Sequence, residues 1–212
     1  MASALIGGLI GKGGAAADIC VIEPLAQARA QLAAKFGVAC VDSIGAAKTL
    51  GQTVVLAVKP QQMRAVAQAL QPRLARELVI TIAAGIRLAD LSRWLGGYGL
   101  LVRCMPNTPA LIGAGISGLY AGAAVDADQR ASAEAILGAV GATLWVQDED
   151  MLDPVTAISG SGPAYVFYFI EALQQAGREL GLTDVAARTL AIDTFRGAAA
   201  RYCIGRVTVP QA

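Results

Sequence analysis

The chain has 212 residues, of which 55% are hydrophobic and only 16% charged. That length carries a sizeable core in one large domain or two small ones, and the composition excludes a disordered chain. Lys+Arg is 17 and Asp+Glu is 16, a net charge of +1 with no basic surplus to call for nucleic acid or an anionic membrane. Histidine is absent, which excludes every mechanism with a histidine base, nucleophile or metal ligand.

The four cysteines, Cys20, Cys40, Cys104 and Cys203, form no CxxC pair, so no zinc site or redox dithiol is expected. They read as buried free thiols in a reducing cytoplasm. Mean hydropathy is +0.54, yet a membrane span needs about 20 mainly apolar residues. The apolar runs Leu78–Ile86 and Ala164–Ile170 are each cut short, by Arg87 and Glu171. No basic region precedes the apolar start Met1–Gly11, so a signal peptide is the weaker alternative and the chain reads as soluble and cytoplasmic.

In chain order, Ala2 to Ile10 has the look of a helix, with Gly7, Gly8 and Gly11 allowing close packing before Gly13-Gly14 ends it. Asp18–Glu23 is a short apolar run closing on an acid and Pro24. Leu25–Phe36 has helical spacing and stops at Gly37. Val38–Val41 predicts a brief strand and Ile44–Leu50 a short helix. Thr53–Val58 is a continuous apolar run that suits a strand buried on both faces. Met63–Leu70 is helical, Leu78–Ile82 a second buried strand, Leu88–Leu95 a helix and Leu100–Met105 a strand ended by Pro106. Gly115–Tyr120 and Thr143–Val146 are weaker strands flanking the helix Ala127–Val140.

Alternation of strands and helices through residue 146 predicts a parallel sheet covered on both faces. After Gln147 only helices are expected, roughly Glu149–Ile158, Ala164–Leu180 and Val185–Ala200. The predicted division is residues 1–147 and 148–212.

Ligands of open parallel sheets bind beyond the carboxyl ends of the strands. Three such ends carry unusual residues here: Ala57-Val58-Lys59-Pro60, Ala83-Ala84-Gly85 and Met105-Pro106-Asn107-Thr108-Pro109. The small residues let a flat ligand approach the backbone, and the Asn amide and Thr hydroxyl supply directed donors and acceptors. Any one of these loops reads equally well as a strand-ending turn; three on one edge favour a binding crevice. Glu23 closes its strand where dinucleotide folds place an acid on the adenosine ribose hydroxyls, which would favour NAD over NADP. A solvated residue opening a turn at Pro24 is the alternative.

Ser159-Gly160-Ser161-Gly162-Pro163-Ala164-Tyr165 lies between two helices. A Gly-Pro start leaves backbone N–H groups free at a helix N-terminus, which suits a carboxylate or an amide, and the serines add donors. A Gly/Ser hinge explains the same residues. Tyr165, Phe167, Tyr168 and Phe169 follow and point to core or a subunit interface.

Leu56-Ala57-Val58-Lys59-Pro60-Gln61, Ala83-Ala84-Gly85, Arg103-Cys104-Met105-Pro106-Asn107-Thr108-Pro109 and Ile158 to Tyr165 occur together in one order. In that order and spacing the chain resembles the bacterial pyrroline-5-carboxylate reductases from Met1 to about Ala200. The resemblance implies an α/β fold, a Rossmann-type parallel sheet followed by a smaller all-helical dimerisation domain. It also implies reduction of 1-pyrroline-5-carboxylate to L-proline with NADPH or NADH, by a homodimer or higher homo-oligomer. Met1, Ala2, Glu23, Pro24, Ala57, Val58, Lys59 and Pro60 would then border the cofactor's ribose and phosphates. Ala83, Ala84 and Gly85 would face the nicotinamide, with Asn107 and Thr108 nearby. Ser159, Gly160, Ser161, Gly162, Pro163 and Ala164 would lie near the substrate, with Ser159 and Ser161 as the catalytic hydroxyls. A protonated imine is already electrophilic, so hydride transfer needs positioning more than a strong acid or base, and no metal.

The chain departs from the family pattern at both ends. Met1-Ala2 corresponds to the end of a GxGxMA loop, so the first strand of the sheet is expected to be lacking and its neighbours' edges unpaired. After Ala200 the family pattern has a glycine-pair loop that holds the substrate carboxylate; here Arg206-Val207-Thr208 only weakly resembles the approach to it and no glycine pair follows in the given sequence. Ile44 stands where the family often has an Asn. A non-catalytic or partner-binding module of the same fold is therefore the alternative. A β-hydroxyacid-type dehydrogenase would need a lysine in the second domain, and none follows Lys59.

Overall fold

The computed structural model describes residues 1–204; the Arg206–Thr208 expectation lies outside them. The chain divides into two compact units, Met1–Gly160 and the segment from Ser161 onward.

The first unit runs α1 (Ala2–Gly11), β1 (Cys20–Ile22), α2 (Ala26–Phe36), β2 (Ala39–Val41), β3 (Thr53–Leu56), α3 (Pro60–Leu70), β4 (Leu78–Thr81), α4 (Leu88–Trp94), β5 (Leu101–Met105), β6 (Gly115–Ala121), α5 (Ala127–Gly138), β7 (Gly141–Trp145) and α6 (Leu152–Val155). Strands β3 to β7 form one five-stranded sheet in chain order, and β1 and β2 pair in parallel as a separate sheet. Among the described residues no strand bonds the far edge of β1 or the edge of β3 away from β4. These are the two edges expected to stand unpaired.

Period-two alternation in β4 feeds both faces of the sheet. Leu78 and Ile80 point into a core completed by Leu5 of α1 and by Ala133 and Leu137 of α5. Val79 points the other way, into Met63, Ala67 and Leu70 of α3 and Leu91 of α4. All four β4 residues are buried, whereas β3 is only half-buried along Thr53–Val55. The expectation that β3 is covered on both faces is corrected: its open edge leaves these residues accessible.

Gly8 lets α1 approach the end of α5, since a Cβ there would lie 2.5 Å from the Ala139 carbonyl oxygen. Asp126 and Gln129 close a reciprocal capping box at the start of α5, a feature worth about 1 kcal/mol.

Three further expectations are corrected. The sheet is parallel from β3 to β5, but β6 runs antiparallel to β5, with β7 parallel to β6. The link between β5 and β6 runs only from Pro106 to Ala114 around the tight turn Thr108–Ile112, too short for the crossover that parallel strands require. Ile44–Leu50 is not a helix; Arg73 donates to the carbonyl oxygens of Ile44 and Lys48, drawing them away from helical partners. Cys104 is buried, but Cys20 and Cys203 are exposed and Cys40 half-buried; all four are free thiols.

The second unit is an antiparallel pair, α7 (Gly162–Glu179) and α8 (Asp184–Ile204), joined through the left-handed Gly181. Gly177 admits Ala187, whose Cβ is 3.0 Å from where a Gly177 side chain would begin. Ala187 and Ala191 are buried, while Tyr165, Phe167, Tyr168 and Phe169 stand exposed. No described helix is long and apolar enough to cross a membrane.

Candidate functional site

Because β3, β4 and β5 are adjacent and parallel, their carboxyl ends share one edge of the sheet. The structure thus brings together Ala57–Pro60, Ala83–Gly85 and Met105–Pro109. Pro60 opens α3 at its first turn, with Lys59 as the exposed N-cap residue. The fixed φ of proline suits that position, and the helix dipole there favours an anion.

After β4 the chain turns sharply. The buried Thr81 hydroxyl accepts the Ala83 N–H at 3.3 Å, and Gly85 takes φ +75°, a backbone conformation side chains rarely adopt. Nothing lies within 4 Å of where a Gly85 Cβ would point. Ala83 is buried, but Ala84 and Gly85 are exposed, so this turn presents bare backbone.

After β5, Pro106 and Asn107 are buried and Thr108 is exposed. The Asn107 Oδ1 accepts the Ile116 N–H at 3.0 Å, which ties the loop to the start of β6. Cys104 is no nucleophile: burial pushes its thiol up to about 12, against a smaller lowering by a hydrogen bond with Ser117.

Glu23 and Pro24 stand at the carboxyl end of β1, in the separate two-stranded sheet. The Glu23 Oε1 accepts the Leu25 N–H at 2.9 Å, and Arg29 donates to the carbonyl oxygens of Glu23 and Pro24 at 2.8 and 2.7 Å. The guanidinium is thereby turned onto the main chain. Met1 is the N-cap of α1 and, like Ala2, half-buried.

The expected helix Glu149–Ile158 is broken into three short pieces: a tight turn Glu149–Met151, α6, and a π-helical turn Thr156–Gly160. The hydroxyls of Thr156 and Ser159 donate to the carbonyl oxygens of Leu152 and Val155 at 2.7 and 3.0 Å. Such back-bonding bends helices, and π-turns recur at functional sites. Gly160 closes the turn against Met105, whose Cε lies 2.9 Å from where a Gly160 Cβ would be. In the second unit Ser161 precedes α7, Gly162 and Pro163 form its first turn, and Ala164 is exposed.

Sequence reasoning missed Arg103 and Glu149. Arg103 is buried in mid-β5 and donates to Glu149 Oε1 at 2.9 Å. A lone arginine inside the apolar run Leu101–Met105 was the available signal, since charges are almost never buried unless paired.

Residues 1–85 match the family model described as NADP oxidoreductase coenzyme F420-dependent, and residues 149–209 match pyrroline-5-carboxylate reductase dimerisation. A pyrroline-5-carboxylate reductase of Pseudomonas aeruginosa is 50% identical over 200 residues, spanning 94% of this chain and 73% of the relative. The structure of a pyrroline-5-carboxylate reductase from Coxiella burnetii superposes with a TM-score of 0.91 at 38% identity, covering 98% of this chain and 77% of that one. The Plasmodium falciparum pyrroline carboxylate reductase with NADP bound gives 0.80 at 28% identity, covering 98% and 77%. This chain belongs to the pyrroline-5-carboxylate reductase family.

Proposed function

We propose that this chain reduces 1-pyrroline-5-carboxylate to L-proline with NADPH or NADH, as a cytoplasmic homodimer or higher homo-oligomer. The observation that carries the reading is the shared carboxyl edge, where Ala57–Pro60, Ala83–Gly85 and Met105–Pro109 stand at the ends of adjacent parallel strands. That edge fits a dinucleotide. The Ala83–Gly85 turn offers exposed backbone with open space at Gly85, room for a flat ring, and the N-terminus of α3 suits a phosphate.

Under this reading Lys59, with Ala57, Val58 and Pro60, holds ribose and phosphate. Met1 and Ala2 do so at the N-terminus of α1, where the first N–H groups of a helix have no intrahelical acceptor. Glu23 and Pro24 take the adenosine ribose. Ala83, Ala84 and Gly85 border the nicotinamide, beside Asn107 and Thr108. Ser159, Gly160, Ser161, Gly162, Pro163 and Ala164 are assigned to the substrate, with Ser159 and Ser161 offering hydroxyls to its polar groups. The reduced nicotinamide, when bound, supplies a hydride to the imine carbon. The protein's share is to orient the imine and exclude water, which can account for a large part of a barrier without a strong acid or base.

The test is to mix the chain with 1-pyrroline-5-carboxylate and NADH or NADPH, following loss of reduced-nicotinamide absorbance and formation of proline. Turnover supports the reading. No turnover, together with no change in nicotinamide fluorescence on titration, overturns it in favour of a non-catalytic module of the same fold.

A further inference from the structure

One carboxylate oxygen joins three segments of the candidate edge. Glu149 Oε1 accepts from Arg103 Nη1 at 2.9 Å and from the Leu88 N–H at 2.8 Å. Arg103 lies on β5 two residues before Met105, where the Met105–Pro109 loop begins. Leu88 opens α4 three residues after Gly85, so its N–H belongs to the turn that follows β4. Glu149 itself starts the run that passes through α6 into the π-turn bearing Ser159.

Both side chains are well covered, at 7% exposure for Arg103 and 16% for Glu149, and Asp153 adds a looser contact to Arg103 at 3.9 Å. A buried ion pair is a weak source of stability, because desolvation offsets the attraction; its best-attested use is to set register. A second pair, Arg87–Asp150 at 2.6 Å, spans the same two stretches of chain, but its side chains are 53% and 75% exposed. Solvent-screened pairs of that kind contribute little. The buried centre therefore stands apart by its geometry: one oxygen shared by two donors, one in mid-β5 and one at the start of α4.

We propose that Glu149 is a positioning residue, which through Arg103 and the Leu88 N–H holds the turn after β4 and the π-turn carrying Ser159 in one register. Its effect on turnover rests on the reductase reading; the register itself does not. Glu149 touches neither substrate nor cofactor in this role. It fixes the backbone that would.

The test compares the full chain with its Glu149→Gln, Glu149→Ala, Arg103→Lys and Asp150→Ala variants by amide hydrogen exchange and by steady-state kinetics. Strand β4 serves as the internal reference. In Glu149→Gln and Glu149→Ala, exchange is expected to quicken in Gly85–Leu88 and Thr156–Gly160 together, while Leu78–Thr81 stays protected. With NADH, kcat falls on the order of ten-fold or more while KM stays within about two-fold, the pattern of lost transition-state positioning. Arg103→Lys, which keeps the charge, retains part of the wild-type rate, and Asp150→Ala changes neither readout. Unchanged exchange in the two loops overturns the proposal, and so does equal quickening in β4, which would mark a loss of global stability. If the unaltered chain shows neither turnover nor a change in nicotinamide fluorescence, the reductase reading fails while the exchange data still decide the positioning role.

Discussion

The side-chain oxygen of Asn107 accepts the Ile116 N–H at 3.0 Å, so a residue of the candidate cofactor edge also pins the turn that reverses the sheet from β5 to β6. Asn107→Ala would leave that amide without its acceptor on an exposed residue that water reaches. Losing a hydrogen bond of that kind costs about 0.5–1.5 kcal/mol. Urea unfolding of Asn107→Ala is expected to show a loss in that range, beyond any effect on turnover.

Gly141 and Gly138 make opposite predictions three residues apart. Gly141 has φ +148°, and a Cβ there would run into the carbonyl oxygen of Gly115 on the neighbouring strand. Gly141→Ala should cost roughly 3 kcal/mol or more, through clash and backbone strain together. Gly138 closes α5 with nothing within 4 Å of its Cβ position. Gly138→Ala should stabilise by about 0.5–1 kcal/mol, by restricting the unfolded chain. Thermal or urea denaturation of the two variants checks the sign of each.

The Cys104 thiol is raised by burial from an ordinary 9.0 to about 12. Between those values the unfolded chain loses this proton while the folded chain keeps it, so the folded state binds more protons and stability falls as pH rises. The stability is fully present below pH 9.0 and declines toward pH 12 by at most about 1.4 kcal/mol per pH unit. The difference in alkaline slope between the wild type and Cys104→Ala measures this contribution. At neutral pH, alkylation followed by peptide mapping should label the exposed Cys20 and spare Cys104.

The Glu23 carboxylate sits at the end of β1, while the nearby Arg29 is committed to main-chain carbonyl oxygens. An acid there repels a 2′-phosphate. Glu23→Ser is expected to shift the ratio of kcat/KM toward NADPH by on the order of ten-fold, about 1.4 kcal/mol. No shift in that ratio would remove Glu23 from the cofactor site.

Tyr165, Phe167, Tyr168 and Phe169 form an exposed apolar stretch on α7, in the region matched by the dimerisation model. A charge introduced there must be desolvated on association. Phe167→Asp should therefore shift the chain toward monomer in sedimentation analysis, with the helical content of each protomer retained.

Much of the framework was legible because it is written in local periodicity. The apolar runs over β4 and β5 and the Gly37 boundary of α2 lie close to where the residues place them, while α3 begins at Pro60, ahead of the expected Met63. The direction of β6 was less legible, since Gly115–Ala121 would look alike in a parallel or an antiparallel strand. Only the shortness of the Thr108–Ile112 turn settles it. The helix expected at Ile44–Leu50 fails because Arg73, 29 residues from Ile44, takes its carbonyl oxygen.

The sequence by itself determined the alternation of strands and helices, the small-residue turns at the strand ends and the family to which they belong. These depend on residue spacing and backbone conformation within a few positions of each other. Tertiary structure alone decided that β6 turns back and that Arg103 meets Glu149 across 46 residues of chain. Pairings of that separation are set by burial and hydrogen-bond satisfaction in the packed unit, and no local pattern encodes them.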